Sequence, residues 1–548
     1  MAGSSAGRDG TRPGPRGEDV PPAERTSLSA RARDAVRQRI VDRRYPQGAR
    51  LVEREVAEEL RMSRVPVREA LRALVGEGLL ELLPHSGVRV RRLERADVEH
   101  LYEVWEPLAV QASRLAARQV ARAAPGELPG TAALRRAGTS AVLAQAVSPA
   151  AASGGAPEAS RGGAGRGGDL VVEGGTLLDP ATGEVTEDAV VVITGGVVRA
   201  AGSRARLGNR VPSGVPVLRA HGRWVLPGLV DAHIHLNTAA EARDAVRKGA
   251  TSARSGSTNF FQDIAVRELA RQVPEQAPRL RAAGVFVTPD LGDTLLADPE
   301  LAPLARLRDG VRSPEALRRV VEVNLARGAD TVKTRVNERA GLPEQDPLTQ
   351  VYDHEQLSAI VAAARRGGKG VLCHSYSEKG CHHAVTAGIR SLEHGAFVGE
   401  RTLHEMRRRG TYFTPTLTAI AGLADSPDPV LAERGRTYLP VLKRAVLAAH
   451  ELGVPLAAGT DSSGGAVDPV GGEVVLMHAA GVPALDALRT ATTGAAQLLG
   501  LDSTVGRLAL GYAGDVLVVD GDPLADPGVL TRPAHVVRAG FQVQAQAA

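Results

Sequence analysis

Apolar positions recur with helical spacing through the first quarter of the chain and with strand-like spacing after it. Over residues 27–92 the pattern predicts three helices and then a pair of short strands, since ELLPHSGVRV alternates around a Ser-Gly turn as a hairpin does. Residues 93–122 predict one or two further amphipathic helices. Residues 1–26 and 123–168 are rich in small and polar residues and lack periodicity, which predicts a disordered tail and a flexible linker.

The pattern changes abruptly at Asp169. Runs of β-branched residues separated by turn residues predict strands over 169–226 and again over 505–548. Between them, over 227–504, short apolar strand-like runs alternate with helix-like segments, which is typical of a (β/α)8 barrel. The sequence therefore predicts an α/β fold: a TIM-like barrel flanked by a small β-sandwich built from both ends, preceded by an N-terminal α+β domain.

Composition narrows the class of protein. A chain of 548 residues is too long for one ordinary core, so two or more domains are expected. Its 43% hydrophobic and 24% charged residues are typical of a globular protein, and no apolar run is long enough to span a bilayer. The N-terminus lacks the apolar region of a secretory signal, and two cysteines, Cys373 and Cys381, cannot build a disulfide framework. We therefore expect a cytoplasmic protein with no membrane partner.

The positive charge lies in the first quarter of the chain. Residues 1–125 carry 23 Arg and 18 acidic residues, a net charge of +5, whereas the remainder holds 44 basic and 44 acidic residues. A basic segment favours a polyanionic partner, although arginine-rich surfaces are common in chains so rich in Ala, Arg and Gly.

Six polar side chains between residues 233 and 461 stand at the ends of predicted strands. Alternation along a strand puts His233 and His235 on the same face, so both can point into the barrel mouth. One HxH pair is a weak signal, but imidazoles and a carboxylate at several strand ends together predict a metal site for hydrolysis by activated water. The candidate ligands are His233, His235, Lys333, His374, His394 and Asp461.

Lys333 needs separate treatment because an ammonium group cannot bind a cation. The residue is either an ordinary surface or ion-paired lysine or a lysine carbamylated by CO2, whose anionic carboxylate can bridge two metal ions. The chain has few lysines among its many arginines, and one of them lies in the strand-like run ADTVKTRV. This placement favours the carbamate.

Over residues 169–548 the chain resembles the amidohydrolase superfamily, in the branch of imidazolonepropionase-like and Xaa-Pro dipeptidase-like metal-dependent hydrolases. The matching stretches are VLPGLVDAHIHL, GATSAR, TVKTRV, CHSYSEKGCHHAVTAGIRSLEHGAF, TPTL, AAGTDSSG and GYAGDVLVVDGDPL. The resemblance implies two divalent metal ions, for which zinc is the default in an imidazole-rich set. It implies that one ion is held by His233, His235 and Asp461 and the other by His374 and His394, with carbamylated Lys333 and a hydroxide between them.

Two further residues are candidates for catalysis. Asp461, beside the water, would take its proton and pass it to the leaving group. Tyr376, two residues after His374, either hydrogen-bonds the substrate or packs at the rim. His382 and His383 fall in the helix after the fifth strand, where we expect them to be solvated or to support a ligand from behind.

The chain departs from the resembled pattern at two places. Arg254 is followed by Ser255, where relatives often read Thr-Val-Arg-Asp. From Thr288 the chain reads TPDLGDTL, where dipeptidase-like members carry a Gly-Gly-His loop, so a substrate-contacting histidine is missing. The metal chemistry is unaffected, but a dipeptide substrate is less favoured.

Residues 27–92 resemble the winged helix-turn-helix of GntR-family regulators of the FadR-like branch, and the stretch that carries the resemblance is LVEREVAEELRMSRVPVREALRALVGEGLLELLPHSGVRV. In such domains the N-terminus of the recognition helix enters the major groove, and Arg64 and Arg68 lie one turn apart there, suited to guanine or phosphate. The alternative is a three-helix module with solvated arginines. The resemblance implies further contacts with double-stranded DNA by Arg54, Ser63 and a wing tip from His85 to Gly87.

Three hypotheses stay open. The first is a binuclear metal-dependent amidohydrolase that cleaves C–N bonds of amides, cyclic amides or dipeptides and carries a DNA-binding head. The second is a GntR-type transcriptional regulator that uses the barrel as a metabolite sensor, although only residues 93–122 resemble the usual effector domain. The third is a conceptual fusion of two neighbouring genes. Substrate identity and a homo-oligomeric state are left open.

Overall fold

The computed structural model describes residues 28–41, 44–46, 48–76, 79–83, 87–91, 167–208 and 212–543. The chain divides into two compact units, residues 1–149 and 150–548, and each is considered by itself. The predicted tail 1–26, the helices 93–122 and all but the end of the linker 123–168 lie outside the described residues. Within those residues, no helix combines the length and the apolar character that crossing a bilayer requires.

The first unit contains the predicted order of three helices and a hairpin. Its three strands form an antiparallel sheet in the order β1-β3-β2, with Leu80 opposite Val90. Arg61, in a left-handed conformation (φ 51°), ends the second helix and turns the chain into the third. The elements are α1 (Leu28–Val41), β1 (Arg50–Leu51), α2 (Glu53–Leu60), α3 (Arg64–Gly76), β2 (Leu80–Leu83) and β3 (Gly87–Val90).

One small sheet of the second unit is built from both of its ends. Strand pairing joins Leu517 to Leu226, almost three hundred residues apart. The sheet has the order β18-β17-β16-β8-β4-β5-β6, and β7 pairs with β4. The elements are β4 (Leu170–Leu178), β5 (Val185–Thr194), β6 (Val197–Ser203), α4 (Arg204–Leu207), β7 (Val217–Arg219), β8 (Trp224–Pro227), β16 (Val516–Val519), β17 (His535–Arg538) and β18 (Phe541–Gln542).

Parallel strands alternate with helices through the middle of this unit. They form two sheets, β11-β10-β9 and β12-β13-β14-β15. The strands are β9 (Leu229–Ile234), β10 (Ala250–Ser255), β11 (Arg279–Arg281), β12 (Val332–Arg335), β13 (Val371–Ser375), β14 (Ser391–His394) and β15 (Tyr412–Thr414). The helices are α5 (Ala239–Arg247), α6 (Gln262–Gln272), α7 (Pro314–Ala326), α8 (His354–Arg366), α9 (Glu378–Ala387), α10 (Glu400–Arg409), α11 (Leu417–Ala424), α12 (Pro429–Glu451), α13 (Val470–Ala479), α14 (Ala484–Thr490) and α15 (Thr493–Leu498).

Backbone hydrogen bonds connect the two parallel sheets on both sides. On one side the amide of Val287 donates to the carbonyl of Lys333 (2.9 Å). On the other side Ala457 N donates to the carbonyl of Phe413 (3.0 Å) and Ala232 N to that of Ala458 (2.8 Å). The predicted α/β alternation is therefore present, whereas the barrel with eight strands and the β-sandwich stay predictions.

Several of these helices start at residues whose side chains cap them. Thr238 and Asp353 each accept a hydrogen bond from the third residue of the following helix and form a full capping box with it. Ser313 and Ser377 cap α7 and α9 in the simpler way. Each cap sets where its helix begins, and those at Thr238 and Ser377 lie three residues after the candidate ligands His235 and His374.

Candidate metal centre

The six candidate ligands come from five strand ends. His233 lies in β9 and His235 follows it, Lys333 lies in β12, and His374 lies in β13. His394 is the last residue of β14, and Asp461 follows the segment that pairs with β15 at Leu456. In the strand register His374 lies opposite Arg335 on one side and opposite Glu393 on the other. Since strands run parallel, their carboxyl ends meet at one edge, and the ligands meet there.

Asp461 lies between the histidines. Its Oδ1 is 3.1 Å from Nε2 of His235 and 3.3 Å from Nε2 of His233. Its Oδ2 is 3.9 Å from Nδ1 of His394. One ligand atom from each of His233, His394 and Asp461 lies within 4.8 Å of the others. These three could hold one metal ion together.

The remaining two candidates adjoin this group. Nζ of Lys333 is 3.0 Å from Nε2 of His233, and the ring of His374 lies 4.4 Å from that of His394, centre to centre. Tyr376, buried, stacks on His394 with its ring centre 5.3 Å away and almost parallel. The structure therefore brings together every ligand that the sequence suggested, with Tyr376 against them.

In each of the four imidazoles, one ring nitrogen makes a hydrogen bond to a group that is not a candidate ligand. Nδ1 of His235 donates to the carbonyl of Ser257 (2.8 Å), and Nε2 of His374 donates to that of Glu338 (3.0 Å). A carbonyl oxygen only accepts, so these nitrogens carry the hydrogen, and in a neutral ring the other nitrogen is left with a lone pair. Free lone pairs on oriented imidazoles are what a bound metal ion requires.

His233 and His394 are held by side chains instead. Nδ1 of His233 lies 2.6 Å from Oε2 of Glu393, and Nδ1 of His394 lies 2.6 Å from the hydroxyl of Thr416. Glu393, Thr416 and the two histidines are all buried. Sequence reasoning missed both partners.

The protonation states also suit metal binding. Burial and the neighbouring Lys333 lower the pKa of His233 to about 4 and that of His374 to about 3. Burial, with His374, holds the pKa of His394 well below its ordinary value. For Asp461 burial opposes ionisation, but His233 and the hydrogen bond from His235 hold its pKa well below the usual range. Neutral imidazoles and an ionised carboxylate form a donor set that fits zinc and similar divalent ions.

The backbone of two ligands is strained. His394 (φ 67°) and Asp461 (φ 55°) are non-glycine residues in the left-handed region, which costs roughly 1–3 kcal/mol each. Backbone hydrogen bonds maintain these conformations, with Asp461 N donating to His233 O (2.7 Å) and Gly395 N to Ser375 O (2.9 Å). Glu393 lies opposite His374 in the register, so strand alternation would point the next residue, His394, away from the site. His394 reaches the site because its backbone leaves the extended conformation.

The remaining histidine and arginine candidates have ordinary or unexpected partners. His382 and His383 lie in α9 as predicted, bonded to Thr402 (3.2 Å) and Gln350 (2.8 Å). Arg254, noted only as a departure from the family pattern, is 3% exposed and reaches the carboxylate of Glu393 with 3.0 and 3.1 Å contacts.

In the head, two of the candidate DNA contacts share one carboxylate. Nε of Arg64 lies 3.0 Å and Nε of Arg68 2.7 Å from Glu53, while all three side chains keep some exposure. Arg54 lies 3.5 Å from Glu58, and Ser63 is exposed. Gly87 starts β3 with φ 91°, and His85 lies outside the described residues. Glu53 was not recognised from the sequence.

Comparison with known proteins gives two family matches. The model of the amidohydrolase family matches residues 224–543, and that of the bacterial regulatory proteins of the gntR family matches residues 28–90. Ochratoxinase from Aspergillus niger is 26% identical over 419 residues, which cover 66% of this chain and 84% of that protein. An uncharacterized HTH-type transcriptional regulator from Agrobacterium vitis is 40% identical over 102 residues, 18% of this chain and 57% of its own length.

Among solved structures, that of a Xaa-Pro dipeptidase with bound methionine is similar with a TM-score of 0.60. The two chains are 23% identical, and the match covers 69% of this chain and 100% of the other. At that identity the likeness shows the fold alone.

Proposed function

The chain belongs to the amidohydrolase family, and from this premise we propose that it is a binuclear metal-dependent hydrolase of C–N bonds in small amides, cyclic amides or dipeptides. The family match and the hydrolases among its relatives support hydrolysis in general. The observation that carries the finer proposal is the convergence of four imidazoles, Lys333 and Asp461 at one edge of the parallel strands.

We assign His233, His235 and Asp461 to one ion and His374 with His394 to the other. This division is supported by Oδ1 of Asp461, which lies between the first two histidines, and by the short distance between the rings of the other two. Zinc is the default ion for such donors. When bound, two divalent ions would supply an activated water and polarise the scissile carbonyl.

Lys333 would join the site as a carbamate. Burial lowers the pKa of its amine, which favours the uncharged form. The nitrogen lone pair attacks the carbon of CO2, an N–C bond forms while one C=O π bond opens and leaves its electron pair on oxygen, and one N–H proton leaves to solvent. The product is an anion with two oxygen donors, whereas the ammonium form would repel cations from the neighbouring His233.

Asp461 and Tyr376 would act on the substrate. Oδ1 of Asp461 is engaged with His233 and His235, so Oδ2, farther from its neighbours, is the atom that would accept the proton of the attacking water and return it to the leaving amine. Burial raises the pKa of Tyr376 well above its ordinary value, so its hydroxyl stays protonated and can donate to the substrate.

We further propose that the head binds double-stranded DNA through Arg54, Ser63, Arg64, Arg68 and the wing from His85 to Gly87. The match of residues 28–90 to the gntR family supports this, and it also favours the second hypothesis, a regulator whose barrel senses a metabolite. Under both readings we expect a small-molecule partner for the barrel and a cytoplasmic location.

A substrate screen with the full chain tests the proposal. The metal-loaded protein is incubated with N-acyl amino acids, dipeptides and cyclic amides, and release of amine is measured with bound metal per chain. Turnover that chelation removes and Zn²⁺ restores supports an enzyme. Tight binding of one of these compounds without turnover would support the sensor instead. The intact mass of the protein from native cells decides whether the two parts form one polypeptide.

A further inference from the structure

A buried ion pair stands behind His233. Arg254 directs Nη2 at both oxygens of Glu393 (3.0 and 3.1 Å) and donates through Nε to the carbonyl of Ala232 (2.6 Å). The hydroxyl of Ser391 accepts from Nη1 of Arg254 (2.8 Å) and donates to Glu393. The carboxylate is therefore fixed from two sides, and Oε2 lies 2.6 Å from Nδ1 of His233.

A second set of buried hydrogen bonds supports His394. The hydroxyl of Thr416 lies 2.6 Å from Nδ1 of His394, and Thr416 occupies a left-handed conformation (φ 53°) directly before α11. Fully buried Glu473, from α13, accepts the amides of Leu417 and Thr418 and the hydroxyl of Thr418, each at 2.8 Å. Glu473 thus anchors the start of α11 and, through it, the position of Thr416.

The other two histidines, His235 and His374, are held by the backbone carbonyls of Ser257 and Glu338. Side-chain substitution cannot remove those acceptors. Each proposed metal position therefore has one histidine held by the backbone and one held by a replaceable side chain.

We infer that Glu393 and Thr416 are positioning residues that set the affinities of the two metal positions separately. Glu393 acts through His233 on the position shared with His235 and Asp461, and Thr416 acts through His394 on the position shared with His374. The inference rests on the proposed binuclear site. A partner behind a ligating imidazole fixes its tautomer and orientation and raises its basicity, and its loss typically costs about 10–100-fold in metal affinity.

The test measures metal affinity at one position at a time. His374→Ala leaves the first position intact and His235→Ala the second, and each serves as a background for Glu393→Gln and Thr416→Val. Co²⁺ binding is followed by calorimetry and by its visible absorption. We expect Glu393→Gln to weaken binding by about 10–100-fold in the His374→Ala background only, and Thr416→Val to do so in the His235→Ala background only.

Thr414→Val is the matched control for Thr416→Val. Thr414 is also fully buried, two residues earlier, but its hydroxyl lacks a hydrogen-bond partner among the described residues, so its replacement should leave Co²⁺ binding unchanged. If Glu393→Gln does not fold, Ser391→Ala removes one hydrogen bond to the same carboxylate and should give a smaller loss at the same position.

The outcomes distinguish failure of the binuclear site from failure of the proposed roles of Glu393 and Thr416. A wild-type chain that binds fewer than two ions contradicts the binuclear site itself. If the wild-type chain binds two ions but the variants weaken both positions equally, or neither, the proposed roles of Glu393 and Thr416 are wrong. The proposed function is unaffected by that result.

Discussion

Nζ of Lys333 lies 3.0 Å from Nε2 of His233, a residue one hundred positions earlier in the chain, and both side chains are buried. Nδ1 of His233 faces the carboxylate of Glu393, so Nε2 presents a lone pair to the lysine. A carbamate formed on this amine would therefore lie beside the lone pair with which His233 would bind a metal ion. Had the two atoms been far apart, a lysine-derived ligand would have been excluded.

Lys333→Ala should lower both bound metal and turnover, the latter by about 100-fold, because the proposed carbamate ligand could not form. For the wild type, reloading of the metal-stripped protein should be more complete with bicarbonate than without it. Bound metal per chain and turnover are measured together. Lys248→Ala is the control, since Lys248 is ion-paired with Asp244 at 2.9 Å and has no assigned role. If bound metal per chain changes neither with bicarbonate nor with Lys333→Ala, the carbamate is excluded.

His233→Ala should abolish hydrolysis and leave DNA affinity unchanged. The head folds around its own apolar core, in which Val36, Val67 and Leu74 are fully buried, so a substitution in the core of the other unit should not disturb it. Turnover and gel-shift affinity are compared with those of His382→Ala, which replaces a histidine of α9 bonded to Thr402. Retained turnover in His233→Ala would contradict the assignment of the active site.

The convergence of the candidate ligands could be predicted because their signal is local. His233, His374 and Asp461 each stand in a short motif at a strand end, and the edge of a parallel sheet brings such ends together. Their supporting partners gave no such signal. Arg254 and Glu393 are 139 residues apart, so their pairing depends on strand register that one sequence does not reveal.

Backbone conformation is a second feature of the site that could not be predicted from the sequence. Alternation would place Glu393 and His394 on opposite faces, yet both serve the site, because His394 leaves the extended conformation at φ 67°. A left-handed histidine carries no sequence signal comparable to that of glycine. In the head, Arg64 and Arg68 were expected to be available for DNA, and their shared contact with Glu53 was overlooked although it is local.

Glu53→Gln should tighten binding of non-specific duplex DNA, because this carboxylate competes with phosphate for Arg64 and Arg68. Arg68→Ala should weaken binding and lower the slope of log affinity against log salt by about 1. Affinities are measured over a salt series. Glu69→Gln, at an exposed position directly after Arg68, is the charge-matched control and should change affinity less. Equal effects of the two glutamate variants would show that only net charge matters.

Glu473 should make stability fall as pH rises through neutrality. Burial raises its pKa from 4.5 to about 7 in spite of three hydrogen bonds, so between these values the folded chain binds more protons than the unfolded chain. The stability from this group is therefore complete below pH 4.5 and lost as pH rises through about 7, a change of roughly 3 kcal/mol in the free energy of unfolding. Asp231, whose pKa burial likewise raises to about 7, and the buried histidines titrate in both proteins, so the fall should appear in the difference between the urea-unfolding free energies of the metal-free wild type and Glu473→Gln. Parallel pH profiles for the two proteins would mean that Glu473 is ionised in the folded chain.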